Sequence, residues 1–156
     1  MSLQSIICEI HSKRSRVWTL LTDPKEVAFW APNVRDLEIE PKGILKIDSV
    51  RHFRLDVGGK IETLDTRITH LTDGEMFVES PIGGSMKLQD KAKYMKFIFR
   101  LEQVEEDSCS LTLSIDYEMK GLLGKMLEKI TIGAFITQYR HWIDRLKTYA
   151  ETGRPV

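Results

Sequence analysis

Cysteine is scarce in this 156-residue chain, with only Cys8 and Cys109 present. They lie about a hundred residues apart and lack the spacing of a zinc or redox motif. Net charge is absent too, because 23 Lys and Arg balance 23 Asp and Glu. That removes the overall basic field which non-specific nucleic-acid binding needs, and leaves only local patches to consider. No apolar run approaches the roughly 20 residues of a membrane-spanning helix. The opening Met1-Ser2-Leu3-Gln4-Ser5 lacks the basic and apolar regions of a secretory signal. With two reduced thiols and six methionines, a cytoplasmic location is expected.

Catalytic signatures are missing as well. His11, His52, His70 and His141 form no HExxH or Cys/His pattern, so no metal is expected. Gly58-Gly59-Lys60 and Gly121-Leu-Leu-Gly124-Lys125 lack the gap and the following Ser/Thr of a phosphate loop. There is no Gly-x-Ser-x-Gly elbow. No cofactor is implied by these residues.

What is present is a strong alternation of patterns. Hydrophobic residues make up 42% and charged residues 29%, which suits one domain over 1–156 with a sizeable core. Ile6, Cys8 and Ile10 alternate with polar neighbours and predict a strand near 3–11. Ser12 is a candidate cap for a helix over 13–22, and Asp23-Pro24 suits the start of a second short helix ending near Trp30. Period-two runs near 34–40, 46–57, 60–71, 75–80, 92–105 and 109–120, punctuated by Gly58-Gly59, Asp73-Gly74 and Glu106-Asp107, predict an antiparallel meander. After Gly121 the period becomes helical, with Leu123, Met126, Leu127, Ile130, Ala134, Ile143, Leu146 and Ala150 on or near one stripe until Gly153. A helix of nearly thirty residues spans about 43 Å, and only a large curved sheet offers a partner surface that long. The expected class is α+β.

The segment Ile10 to Pro24, with Val17-Trp18, Leu20-Leu21 and Asp23-Pro24, resembles the opening signature of the polyketide cyclase/dehydrase-like branch of the SRPBCC, or START-like, superfamily. Trp30-Ala-Pro32, Gly121-Leu-Leu-Gly124 and the closing Leu146 to Glu151 extend the resemblance over nearly the whole chain. It implies the helix-grip fold, a seven-stranded curved antiparallel sheet wrapped around a long C-terminal helix, with two short helices between strands 1 and 2. It also implies an apolar cavity between sheet and helix, used by relatives for lipids, sterols, plant hormones, quinones or polyketides. The expected inward wall is Phe53, Leu64, Ile68, Val78, Met95, Phe97, Phe99, Leu113, Ile115 and Tyr117, with Met126, Ile130 and Ala134 from the helix. Plain core packing is the default account of each. Trp30 and Pro32 are candidates to frame the entrance, and Ser80 to Met86 suits a flap over it.

Polar groups that could act inside such a cavity are few. Tyr117 falls on the covered face, where its hydroxyl could orient a ligand or give a proton. Arg51 shares parity with Phe53 and Leu55 and would meet an acidic ligand group bidentately. A slip of one residue would send Arg51 to solvent and bring His52 inside, and the pattern leaves both open. Thr66 shares the inward parity of Leu64 and Ile68. The expected function is binding or carriage of a hydrophobic small molecule, as a monomer or homodimer without nucleic acid. The alternatives are a metal-free cyclase or dehydratase acting through Tyr117, Arg51 or His52, and a protein-interaction module resembling the chaperone-activator branch, marked by a closed core and an exposed apolar patch.

Overall fold

The structure is a computed structural model describing residues 2–155. The strand β1 (Ser2–Ile10) is followed by helices α1 (Arg14–Thr22) and α2 (Pro24–Trp30), then by strands β2 (Val34–Glu40), β3 (Val50–Val57), β4 (Lys60–Thr72) and β5 (Met76–Gly83). A one-turn helix α3 (Leu88–Lys91) precedes β6 (Ala92–Glu105) and β7 (Ser108–Met119), and α4 (Gly121–Thr152) closes the chain. All seven strands form one antiparallel sheet in the order β1-β7-β6-β5-β4-β3-β2. The helix-grip architecture expected from the sequence is the one adopted.

Local chemistry explains most boundaries. Asp23 accepts a hydrogen bond from the Lys25 amide at 3.0 Å and Pro24 occupies the first turn of α2, so the missing proline N–H costs no helix bond. Lys13, rather than Ser12, occupies the cap position of α1, and its side chain makes no capping bond. The third strand begins at Val50, four residues later than expected, because 41–49 forms a loop folded back by Ser49, whose hydroxyl accepts from the Lys46 amide.

The core lies where the sheet's concave face meets α1, α2 and the C-terminal half of α4. Phe77 stacks on Phe99 with centroids 4.4 Å apart and receives the edge of Trp18 at 5.7 Å. Ile10, Val17, Leu20, Ile68, Leu111, Ile115 and Leu146 are all essentially without solvent contact around them. The C-terminal half of α4 is tied down at several points. Lys147 donates to the Glu9 carbonyl at 2.7 Å, Glu151 accepts from the His11 amide at 2.8 Å, and the Tyr149 hydroxyl donates to Glu26 at 3.0 Å.

One irregularity positions the site. The pairing of β5 with β6 covers only Met76↔Arg100 to Glu79↔Phe97. Beyond it β5 continues alongside β4 alone, through Pro81, which has no N–H to extend a ladder. The sheet therefore splits between β5 and the start of β6, and α3 sits in the split.

Candidate cavity and its buried polar cluster

A cavity of about 480 Å³ lies between strands β3 to β6 and the middle of α4. Phe53, Leu55, Leu64 and Phe97 line it from the sheet, and Ala134, Phe135, Gln138, Tyr139 and Trp142 from the helix. Val57 and Gly58 of the β3–β4 hairpin, Ser85, Met86, Leu88 and Lys91 complete the rim. The aromatic groups are mutually packed: Phe97 meets Phe135 at 5.8 Å and Tyr139 at 6.1 Å, and Tyr139 meets Trp142 at 5.8 Å. Asn33 fixes the helix side, accepting from the Trp142 indole at 2.8 Å and from Gln138 at 3.3 Å.

The wall differs from the one expected. Phe53, Leu64, Phe97 and Ala134 line the cavity. Ile68, Met95, Phe99, Leu113 and Ile115 are buried beside or beyond it in the packed core, as is Thr66. Trp30 is also core: its indole donates to the Leu20 carbonyl at 2.8 Å and its ring meets the edge of Trp142. Tyr117 is buried on β7, paired with Met95 and Ser2, away from the cavity. Val78 is on the opposite face of the sheet from the cavity, because its β5 neighbours Phe77 and Glu79 are the inward pair. Met126 and Ile130 are 70% and 72% exposed. The sequence stripe had merged two different faces of α4.

Arg51 is inside and His52 outside. Nε and Nη2 of Arg51 donate to the two carboxylate oxygens of Glu79 at 2.9 and 2.8 Å, and Nη1 donates to the Leu21 carbonyl at 3.1 Å. Its guanidinium carbon lies 4.9 Å from the Phe53 ring centroid and 5.1 Å from that of Phe77. The Thr66 hydroxyl donates to Glu79 at 2.8 Å. The fork expected to take a ligand's acid is thus already filled by a protein carboxylate. Glu79 itself had no signal beyond parity, since a charged residue in a strand reads as outward. His52 sits on the outer face between Glu40 at 2.9 Å and Asp65 at 2.7 Å. The hydrogen bond to Glu40, then the one to Asp65, raises its pKa above the ordinary imidazole value.

Tyr139 was missed in the sequence. Its hydroxyl makes no hydrogen bond within the protein among the described residues, and its ring lines the cavity. Burial, then the Glu79 carboxylate, raises its pKa well above the usual phenol, with Arg51 acting in the opposite sense. It is a neutral donor at any physiological pH. The spacing Phe135, Tyr139, Trp142, Leu146 was the available signal for this face.

The segment expected as a flap is anchored. Ser85 exchanges two 2.8 Å bonds with Thr63 and donates to Glu62 at 2.5 Å, while the Met86 amide donates to the Thr63 carbonyl. Gly84, at φ +105°, approaches so closely that a Cβ there would lie 2.4 Å from the Thr63 carbonyl oxygen.

A curved sheet gripping a long helix over a partly open aromatic cavity defines a START-like, helix-grip protein. Residues 9–151 match the family described as polyketide cyclase / dehydrase and lipid transport, and the chain belongs to that family. Similar solved structures include a START superfamily protein from Mycobacterium smegmatis, at 16% identity and TM-score 0.71 over 96% of this chain and 97% of that one. Major latex-like protein 151 of Panax ginseng is 17% identical with TM-score 0.70, over 95% and 97%. The Zhui aromatase/cyclase of Streptomyces sp. R1128 is 15% identical with TM-score 0.70, over 99% of both chains. At these identities the likeness is one of fold. No curated protein matches the chain in sequence.

Proposed function

We propose that this chain binds one hydrophobic, ring-containing small molecule between sheet and helix and holds it without transforming it. The observation that carries this reading is the cavity of about 480 Å³ walled by Phe53, Phe97, Phe135, Tyr139 and Trp142, a size and lining suited to a drug-sized apolar ligand. The buried ion pair at its wall is bonded within the protein: both Glu79 carboxylate oxygens accept from Arg51, and one of them also accepts from Thr66, which holds the carboxylate in a structural role. Tyr139 remains as one donor for a ligand carbonyl or hydroxyl. The free thiols Cys8 and Cys109 accord with a reducing, cytoplasmic setting, and a monomer suffices for a cavity built from one chain.

The test is native mass spectrometry of the purified chain, with extraction of whatever stays bound, followed by melting in the presence of the uncharged probe N-phenyl-1-naphthylamine. A hundredfold excess over Kd should raise the Tm by roughly 5–10 °C. Absence of both an added mass and a Tm shift would contradict the proposal. A second reading, a cyclase or dehydratase, is favoured by the neutral Tyr139 hydroxyl and by the likeness to an aromatase/cyclase fold. It requires turnover of a polyketone that Tyr139→Phe abolishes while leaving binding intact.

A further inference from the structure

The first three turns of α4 carry an apolar face turned to solvent. Leu122, Leu123, Met126, Leu127 and Ile130 are 78%, 68%, 70%, 44% and 72% exposed, and their spacing places them on one side of the helix. The helix packs its other side on the protein only from Ile132 onward. Five large apolar side chains in one exposed stripe exceed the scattered exposure that any soluble protein shows. The stripe runs directly into Thr131 and Ala134, which line the cavity, and across the mouth stands Val57, 46% exposed.

The ground around it is basic although the whole chain is neutral. The α4 start lies against α3, with the Lys120 amide donating to the Lys91 carbonyl at 3.0 Å. Over 87–93 and 118–130, Lys87, Lys91, Lys93, Lys120, Lys125 and Lys129 outnumber Asp90, Glu118 and Glu128 two to one, with Lys93 paired to Glu118 at 3.7 Å and Glu62 close to Lys91. All six lysines are exposed. An apolar stripe with lysines beside it matches a bilayer surface, where side chains enter the acyl boundary while ammonium groups reach anionic headgroups. A second copy suits it less, since a two-fold contact would press this basic rim against itself.

We propose that the N-terminal third of α4 docks the protein on anionic membranes, with the cavity mouth facing the lipid. Docking rests on the exposed face alone. Direct exchange of a ligand between bilayer and cavity rests in addition on the proposed binding function.

The test is co-sedimentation of the full chain with phosphatidylcholine vesicles, with and without phosphatidylserine. Phosphatidylserine should strengthen binding roughly tenfold or more, and added salt should reverse that gain. The double variant Met126→Glu/Ile130→Glu should abolish sedimentation. Lys125→Glu/Lys129→Glu should remove the phosphatidylserine preference. Both pairs are exposed, so Tm and naphthylamine binding should be unchanged. Absence of sedimentation with either vesicle, or sedimentation unaffected by both variants, would overturn docking. So would a self-associated species in analytical ultracentrifugation that Met126→Glu/Ile130→Glu dissolves, which assigns the face to a second copy. Loss of naphthylamine binding by the parent protein would instead remove the cavity function and leave docking standing.

Discussion

Arg51, Glu79 and Tyr139 divide the polar work of the interior between structure and recognition. Arg51 and Glu79 are 3% and 4% exposed and satisfy each other, so removing one leaves a buried charge without a partner. Glu79→Gln should lower the unfolding free energy by about 3–5 kcal/mol, whereas the joint replacement Arg51→Met/Glu79→Leu should cost far less. Urea unfolding of the parent, Arg51→Met, Glu79→Leu and the joint variant forms a double-mutant cycle, and additive costs would show that the two do not act as a unit. Tyr139→Phe removes only a donor. It should weaken binding of acetylnaphthalene about fivefold, the worth of one hydrogen bond, and leave ethylnaphthalene unaffected; equal effects on both would deny the hydroxyl a role.

His52 gives a pH-dependent term of known sign. Its pKa is raised in the folded state by Glu40 and Asp65, so its contribution is fully present below the unfolded value of about 6.5 and fades as pH rises through the folded pKa. The stability gap between the parent and His52→Gln should therefore be larger at acid pH than at alkaline pH. A gap that grows toward alkaline pH would contradict the Glu40–His52–Asp65 arrangement. Parity alone could not decide between Arg51 and His52. The decision came from a carboxylate on a third strand, Glu79, and from the carbonyl of Leu21, both remote in sequence.

Among the elements, α4 is two helices in function. Its C-terminal half is bonded to β1 and α2 through Lys147, Glu151 and Tyr149, and its first turns rest on little. Amides over 121–130 should exchange with deuterium faster than those over 139–150, and uniform protection would argue that something covers the stripe. This duality is also why the helix was legible in extent but not in orientation. Leu123, Met126 and Ile130 dominate the hydropathy pattern, while the packed stripe of Ile132, Tyr139, Ile143 and Leu146 is offset from them. The short pairing of β5 with β6 was equally invisible, and so was the register that turns Phe77 and Glu79 inward in place of the expected Val78. Gly84→Ala should destabilise by more than about 1 kcal/mol, through both its positive φ and the approach to Thr63.

At the scale of the whole molecule, alternation and a single long helical run specified the antiparallel meander and the long helix across it, while the grip and the cavity's place between them came with the resemblance to START-like proteins. Neither could specify which part of the interface stays unfilled. That depends on where α4 parts from the sheet, a consequence of packing summed over Phe53, Leu64, Phe97, Phe135 and Trp142. The central claim is that this space is a binding site, and Ala134 offers the cleanest probe, since it lines the cavity from an exposed helical position. We would titrate N-phenyl-1-naphthylamine fluorescence against the parent and Ala134→Trp. One saturable site in the parent, lost in a variant whose Tm is unchanged, is the result we expect. Binding that persists unchanged in Ala134→Trp, or none in the parent, would contradict it.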